Sequence, residues 1–467
     1  MTFRNTVGKY TMTRPLAIGL LLLLTATLSA QVPPAQPAAS PAASPATAPG
    51  TGPAPEVTLE LRPGQESQLK LAAPSFKVRG VLSPAARQAA TQLENVVRSD
   101  LEHTGIFVIQ GPAELAAAKL NGDPAHDFEQ YRALGNEVLL LGEVYEEGGR
   151  LALEGRVFDL KSGQSILGKR YRGGFELTRR MAHSFADEVV LYFTGRRGIA
   201  LTSLAFYSDR TGSKEIYLMD YDGLEQRAVT GHKSISMSPD WSPTGDAIAY
   251  VSFFDGHPGI YMVDLQSGLK KPMVTDGNLN SSPSFSPDGK RIAFSRSLEG
   301  NTEIFTANRD GSGMKRLTYS PGIDTDPAWS PSGALIAFTS SRGGSPNVYV
   351  MDVEGTNLRR ISYTGTYNDG AAWSPDGKQV AYASRLRGHL FDIVVTDLAG
   401  LGNRTLTDGP GSNESPTWSP DGRFIAYASA HGGRTQIRLV RADGGPSELL
   451  TASGNNWSPD WSSYPPP

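Results

Sequence analysis

From Leu204 onward one pattern of apolar and polar positions returns six times. Apolar–alanine–aromatic triplets centre on Ala205, Ala249, Ala293, Ala337, Ala381 and Ala426, 44 residues apart with a last step of 45. A second apolar segment follows each, at Ile216-Tyr217, Ile260-Tyr261, Ile304-Phe305, Val348-Tyr349, Ile393-Val394 and Ile437. Most copies then pass an Asp/Gly turn to a short segment ending at Thr or Ser: "RAVT", "PMVT", "KRLT", "RRIS", "RTLT", "ELLT". With a Pro-x-Trp-Ser segment added, each unit holds four short strands. Four strands at a period of 40–50 residues predict a β-propeller.

The aromatics of the Pro-x-Trp-Ser segments fall at Trp241, Phe285, Trp329, Trp373, Trp418 and Trp461. They are also six, but displaced along the chain. The first triplet has no such segment before it, and the last segment has no triplet after it. Circular closure reconciles the two counts: Pro459-Asp460-Trp461-Ser462 supplies the missing strand of the first blade. That leaves no open edge and gives a ring of six blades over 198–467.

Residues 56–197 follow different periods. "EVTLELR" (56–62) alternates like a strand. Ser83-Pro84 offers an N-cap and a first-turn proline, and Leu93, Val96, Val97 and Leu101 follow at helical spacing up to Gly105. "IFVI" (106–109) reads as a short buried strand, and "AELAAAKL" (113–120) and 128–134 as helices. "EVLLLGEVY", "RLALEGRVFDL" and "QSILGKRYRG" read as three strands joined by Gly turns, hence antiparallel. A helix over 176–193 closes the region, with Leu177, Met181, Phe185 and Val189 on one face. The fold class is therefore an N-terminal α/β domain followed by an all-β six-bladed propeller.

The first 55 residues belong to neither domain. Arg4, Lys9 and Arg14 precede an apolar run from Leu16 to Leu24, and Leu28-Ser29-Ala30 ends in a small residue. This reads as a signal peptide over 1–30, cleaved near Ala30, because the run is short for a membrane span. Residues 31–55, almost entirely Pro, Ala, Ser, Thr and Gly, cannot bury a core and read as a linker. The exported product is expected in the periplasm, without stable membrane insertion. There is no cysteine, so disulfides, thiolate nucleophiles and Cys-based metal sites are excluded, as is a lipid anchor on a cysteine after the apolar run. A net charge of −3 supplies no basic field for nucleic acid.

The recurrent Ser-Pro-Asp-Gly is a turn, not a nucleophile site: Pro presets φ, Asp bonds local backbone and Gly takes positive φ. Thr244 and Ser332 replace the Asp in two copies, and no histidine accompanies the motif. No HExxH, nucleophile elbow, P-loop or dinucleotide fingerprint occurs. The reading is therefore no enzyme, no cofactor and no metal site. His183 and Asp187, four apart on the last helix of the first domain, are domain-interface candidates. The long polar loops 275–283, 319–327, 363–371 and 407–416 all lead into inner strands, so they lie at one end of the ring, with the tight turns forming a smooth opposite end. That loop face is the candidate binding face. A cation among Asp324, Asp326, Asp369 and Glu414 stays open as an alternative use.

"LGNEVLLLGEV" (134–144), "RRMAHSFADEVVLYFTG" (179–195) and "LMDYDG" (218–223), together with the P-x-WSPDG…IAY repeats, resemble the TolB family of the Tol–Pal envelope system. The resemblance covers nearly all of the chain beyond the signal peptide. It implies a non-enzymatic periplasmic adaptor that binds the peptidoglycan-associated lipoprotein Pal at the loop face and the inner-membrane protein TolA through its N-terminal region. Such an adaptor supports outer-membrane integrity and constriction during division. The Pal-like face it implies comprises Asn278, Leu279, Asn280, Ser282, Asp324, Thr325, Asp326, Tyr367, Asp369, Asn413 and Glu414. Thr325 matches a family contact residue. Leu279 and Ser282 depart from it, standing where better-known members carry histidine and alanine. The competing reading is a carbohydrate- or peptidoglycan-binding propeller using Tyr319, Tyr363 and Tyr367. A regulator of an oligopeptidase is the third, and the missing hydrolase domain argues against it.

Overall fold

The computed structural model describes residues 68–116 and 124–465. The signal peptide, the linker, the strand read at 56–62 and the second half of the helix read at 113–120 lie outside the described residues. In the α/β domain β1 (Leu69–Ala72), β2 (Lys77–Val78), β3 (Phe107–Gln110), β4 (Val138–Glu147), β5 (Arg150–Asp159) and β6 (Gln164–Gly173) form one sheet. Its order is β3-β1-β4-β5-β6, with β2 paired to the far end of β4. The three long strands pair antiparallel, while β1 pairs parallel with β3 and β4. The sequence reading missed β1 and β2; at four and two residues they are too short to show a period.

Helix α1 (Pro84–His103) starts where Ser83 Oγ accepts the N–H of Ala86 at 3.2 Å. It packs with α4 (Thr178–Thr194) on one face of the sheet, over Leu140, Val144, Leu153 and Val157. Helices α2 (Pro112–Leu115) and α3 (Pro124–Ala133) sit on the other face, where Leu115 and Tyr131 meet Leu139 and Leu160. Burial on both faces is why "VLLL" runs apolar without alternation. Gly142 and Gly155, directly opposed in the register, leave room for two rings: a Cβ would lie 2.4 Å from Phe76 at the first and 2.3 Å from Phe185 at the second. Met181, Phe185 and Val189 are buried as the periodicity requires. Leu177 instead ends a 3₁₀ turn (Phe175–Leu177) and is exposed.

Six four-stranded antiparallel sheets follow. Blade 1 pairs Asn456–Trp461 with Ser203–Ser208, closing the ring with both ends of the propeller segment, and Trp461 Nε1 donates to Thr202 Oγ1 at 2.9 Å. The inner strands of blades 2 to 6 are Ser236–Trp241, Leu279–Phe285, Asp324–Trp329, Asn368–Trp373 and Ser412–Trp418. Every inner strand carries a bulge three residues before its aromatic, where Ser238, Ser282, Asp326, Gly370, Ser415 and Ser458 all take positive φ. The Thr ending each outer segment has a structural task. Thr230, Thr318, Thr407 and Thr451 each accept the N–H that begins the apolar run of the third strand, at 2.8–2.9 Å.

Neighbouring blades are joined by a repeating contact. The side chain just before one aromatic accepts the backbone N–H of the next blade's aromatic: Asp460 from Trp241 and Asp240 from Phe285 at 2.7 Å, and Thr417 from Trp461 at 3.1 Å. Where that residue is alanine, the tryptophan indole replaces it. Trp373 Nε1 donates to the Ala328 carbonyl at 3.0 Å and Trp418 Nε1 to that of Ala372 at 3.2 Å.

The Ser-Pro-Asp-Gly turns lie opposite the loops, as the strand order requires. That end is not smooth: the α/β domain docks there on blades 1 and 6. Asp100 of α1 accepts from His183 Nδ1 of α4 at 2.7 Å and from the Tyr221 hydroxyl of blade 1 at 2.8 Å. Arg179 donates to Asp220 (3.0 Å) and Asp222 (2.7 Å). His103 meets Glu448 of blade 6 at 2.9 Å, and Arg423, next to a tight turn, donates to the Thr104 carbonyl at 3.0 Å. Tyr221 has the rings of His103 and His183 edge-on, at 5.9 and 6.0 Å. Asp187 does not bond His183. It accepts the N–H groups of Ala200 and Leu201, fixing the passage into blade 1.

Burial draws the His183 imidazole down, yet hydrogen bonds to Asp100 and Asp220 outweigh it and the nearby Arg179 charge, pushing it up to about 9. The Glu448 bond pushes His103 up to about 9 as well. Burial raises Asp187 to about 6.

Two predictions follow from the closure and from the interface. Trp461→Ala removes a buried aromatic from the closing strand and should cost about 3–5 kcal/mol in urea unfolding; a loss under about 1 kcal/mol would mean that the strand does not hold the ring. Both imidazoles lie above the unfolded value of about 6.5, so the folded state binds the extra protons. Their stabilisation is complete below about pH 6.5 and is lost as pH rises toward 9. Wild-type urea midpoints should fall across that window, and His183→Gln should flatten the slope. Asp187 acts in a lower window, between about 4 and about 6. An unchanged slope in the variant would refute the assignment.

Candidate functional site: the loop face and channel mouth

The face opposite the α/β domain is built from the loops between blades and the hairpin tips within them. The hairpins of blades 3, 5 and 6 extend further than the others: 291–308, 379–397 and 424–441 pair over eight or nine residues per strand, against six in blades 1, 2 and 4. The rim is therefore uneven, with three raised tips. It exposes large apolar side chains, among them Phe254, Leu298, Ile323, Leu390 and two tyrosines, Tyr319 (76%) and Tyr363 (58%). Apolar groups on a polar rim are the composition of a protein-binding face.

The six bulge residues line a central channel of about 450 Å³. Its wall holds several carboxyls short of water. Burial lifts Asp460 to about 7 and carries Asp240 well above the usual carboxylate range, with mutual repulsion adding to the latter. Burial, then the neighbouring Asp326, lifts Asp369 to about 7. Asp326 accepts from Ser282 Oγ at 2.5 Å across the blade 3–4 boundary. Asp369 accepts from Thr339 Oγ1 and from the N–H of Gly370, at 2.8 and 2.7 Å. These acids are thus partnered within the wall.

The residues singled out from the sequence divide into two groups. Asn278 and Glu414 are exposed, and Leu279, Ser282, Thr325, Asp326, Tyr367 and Asp369 are half-buried around the mouth. Asn280, Asp324 and Asn413 are a correction: they are buried and cannot be touched by a partner. Asn280 donates to the Asp276 carbonyl (2.8 Å) and accepts from Arg296 (3.3 Å). Asp324 accepts from Ser340 Oγ and Arg342, at 2.5 and 2.7 Å. Asn413 points to Asp392. All three stand five residues before the inner-strand aromatic, where the other blades have Ser236, Asn368 and Asn456, equally buried. That column of Ser, Asn or Asp was the signal: a residue repeated in every blade holds the blade, and only what differs between blades can select a partner. Of the four acids named for a cation, Asp324 is committed to Arg342, while Asp326 and Asp369 adjoin and are held by Ser282 and Thr339. Among the described residues Asp100, His183 and Asp222 do converge, but Arg179 lies 2.7 Å from Asp222 and 3.2 Å from His183 and holds a cation's place.

Nothing in the sequence pattern marks Arg385. It lies on blade 5, between the rings of Tyr367 and Phe391, with its Cζ 4.9 Å from each ring centre. Among the described residues no helix is long and apolar enough to cross a membrane.

The comparisons with known proteins agree with this architecture. The family described as "TolB amino-terminal domain" matches residues 57–166, and the one described as "TolB beta propeller domain" matches residues 191–465. A "Protein TolB homolog" of Chlorobium chlorochromatii is 34% identical over 42% of this chain and 44% of its own length. A "Tol-Pal system protein TolB" of Syntrophotalea carbinolica is 39% identical over 41% of this chain and 45% of its own. The matched segment thus spans under half of these curated relatives. The crystal structure of TolB from Acinetobacter baumannii superposes with a TM-score of 0.73 at 26% identity, covering 85% of this chain and 97% of that one. With the propeller model alone matching more than half of the residues, and with the two domains in the same order, the chain belongs to the TolB family.

Proposed function

We propose that this chain is the periplasmic adaptor of a Tol–Pal system and acts by binding rather than catalysis. Its loop face takes a Pal-like outer-membrane lipoprotein, and its N-terminal region engages a TolA-like inner-membrane protein. The assembly supports outer-membrane integrity and constriction at division. The observation that carries the reading is the division of the ring into two ends. The turn face is occupied by the chain's own α/β domain, whereas the loop face presents the half-buried Leu279 and Thr325 and the exposed Ile323 and Tyr319 around a channel mouth with nothing of the described chain upon it. A peptidoglycan-binding role is the second reading, favoured by the exposure of Tyr319 and Tyr363.

The test is calorimetric titration of the mature protein with the soluble domain of the Pal-like lipoprotein from the same genome. Wild type should bind. Leu279→Glu and Thr325→Arg, which leave the buried column intact, should each weaken binding at least about tenfold without lowering the melting temperature. Charge reversal at Asp324 would be uninformative, because it breaks a buried ion pair. No wild-type binding, together with retention on purified peptidoglycan, would overturn the adaptor reading in favour of the second.

A further inference from the structure

Arg385 stands on the second strand of blade 5 (Gln379–Arg387), directly opposite Phe391 on the third. The Tyr367 and Phe391 rings meet edge to face at 5.4 Å, and the guanidinium lies against both. Its Nε is sealed from solvent without a hydrogen-bond partner. The two Nη groups also have no partner among the described residues, but they keep contact with solvent.

Several other arginines rising toward this face are neutralised, and Arg210 is held by Ser208, Gln226 and Asn456. Arg296 grips Asp276 at 2.8 and 3.1 Å, Arg342 reaches Asp324 at 2.7 Å, and Arg316 reaches Glu303 at 2.7 Å. Arg387, two residues along the same strand, clasps Asp392 at 2.8 and 2.9 Å. The acids around Tyr367 are Asp326, Asp369 and Glu414. They are held by Ser282, by Thr339 with the Gly370 N–H, and by Ser412, respectively. None forms an ion pair with Arg385.

A guanidinium partly stripped of water and left without a counter-ion is costly unless something completes it. The two rings hold it by cation–π contact and fix its direction, so little order remains to be imposed on binding. The open pair of Nη groups is a planar fork that fits the two oxygens of one carboxylate. We propose that Arg385, clamped by Tyr367 and Phe391, is a preformed receptor for an aspartate or glutamate side chain of the protein partner on the loop face. The inference rests on the adaptor reading and names a chemical feature of that partner.

The test is calorimetry with the same lipoprotein domain. Arg385→Met keeps a stem between the rings and removes the charge. It should weaken binding roughly 30-fold or more, while the melting temperature holds or rises, since the orphaned donor is gone. Arg385→Lys keeps the charge but not the fork and should recover only part of the loss. Neutralising the partner's acidic residues one at a time should reveal one whose effect vanishes when combined with Arg385→Met. Wild-type binding that Arg385→Met leaves unchanged overturns the proposal alone, as does a loss coupled to no acidic residue. A lowered melting temperature with no such coupling assigns Arg385 a packing role and also overturns it. Failure of wild type to bind overturns the adaptor reading and takes this proposal with it. If Arg385→Met instead abolishes peptidoglycan retention and leaves the lipoprotein complex intact, the carboxylate is not a protein's.

Discussion

A ring of blades is stable only if its first and last members meet, and here both ends of the propeller segment lie in one sheet. Asn456–Trp461 is the inner strand of a blade whose other strands lie about 250 residues earlier. Asp460 on this strand accepts the N–H of Trp241, and Trp461 donates its own N–H to Thr417. The closing strand is thus tied to both neighbours by the contacts that tie other blades together. An antiparallel pairing between segments so far apart in the chain carries a loop-closure cost, and the packed aromatics offset it. The channel, its bulges and the two distinct faces exist only once this strand is in place.

Closure also fixes where the α/β domain can dock. The turn of blade 1 that carries Asp220, Tyr221 and Asp222 lies beside the closing seam, and Glu448 and Arg423 lie across it on blade 6. The domain therefore bridges blade 1, which holds the closing pairing, and its neighbour blade 6. It does so with buried charges whose partners are complete: Asp100 serves His183 and Tyr221 together. Removing any one member strands another in a low-dielectric site, which makes the arrangement specific in geometry. The turn face is committed to an internal contact, and nothing of the described chain covers the loop face.

Most of this architecture could be read from the chain because repeats average out local noise. The triplets at Ala205 to Ala426 and the offset of Trp461 are six-fold signals, and each blade satisfies them. The parts that escaped were the short or the singular. Strands β1 and β2 are too brief to alternate, and Leu177 falls in a 3₁₀ turn that breaks the helical face. The docking of the α/β domain on the tight turns depends on Asp100, Arg179 and Tyr221, which are far apart in sequence and unremarkable singly. At the loop face, polarity does not mean accessibility at Asn280, Asp324 and Asn413. These are the polar residues that hold blades from within, and their recurrence separates them from Leu279, Thr325 and Arg385, which vary between blades.

The central claim is that the two ends of the ring have different tasks, the turn face holding the α/β domain and the loop face receiving a partner. Hydrogen exchange read by mass spectrometry, on the mature protein alone and with the Pal-like lipoprotein domain, tests it most directly. The account predicts slowed exchange in 275–283, 319–327, 363–371 and 407–416, with the tight turns of blades 2 to 5 unchanged. Protection confined to those turns, or to the outer strands of the blades, would contradict it.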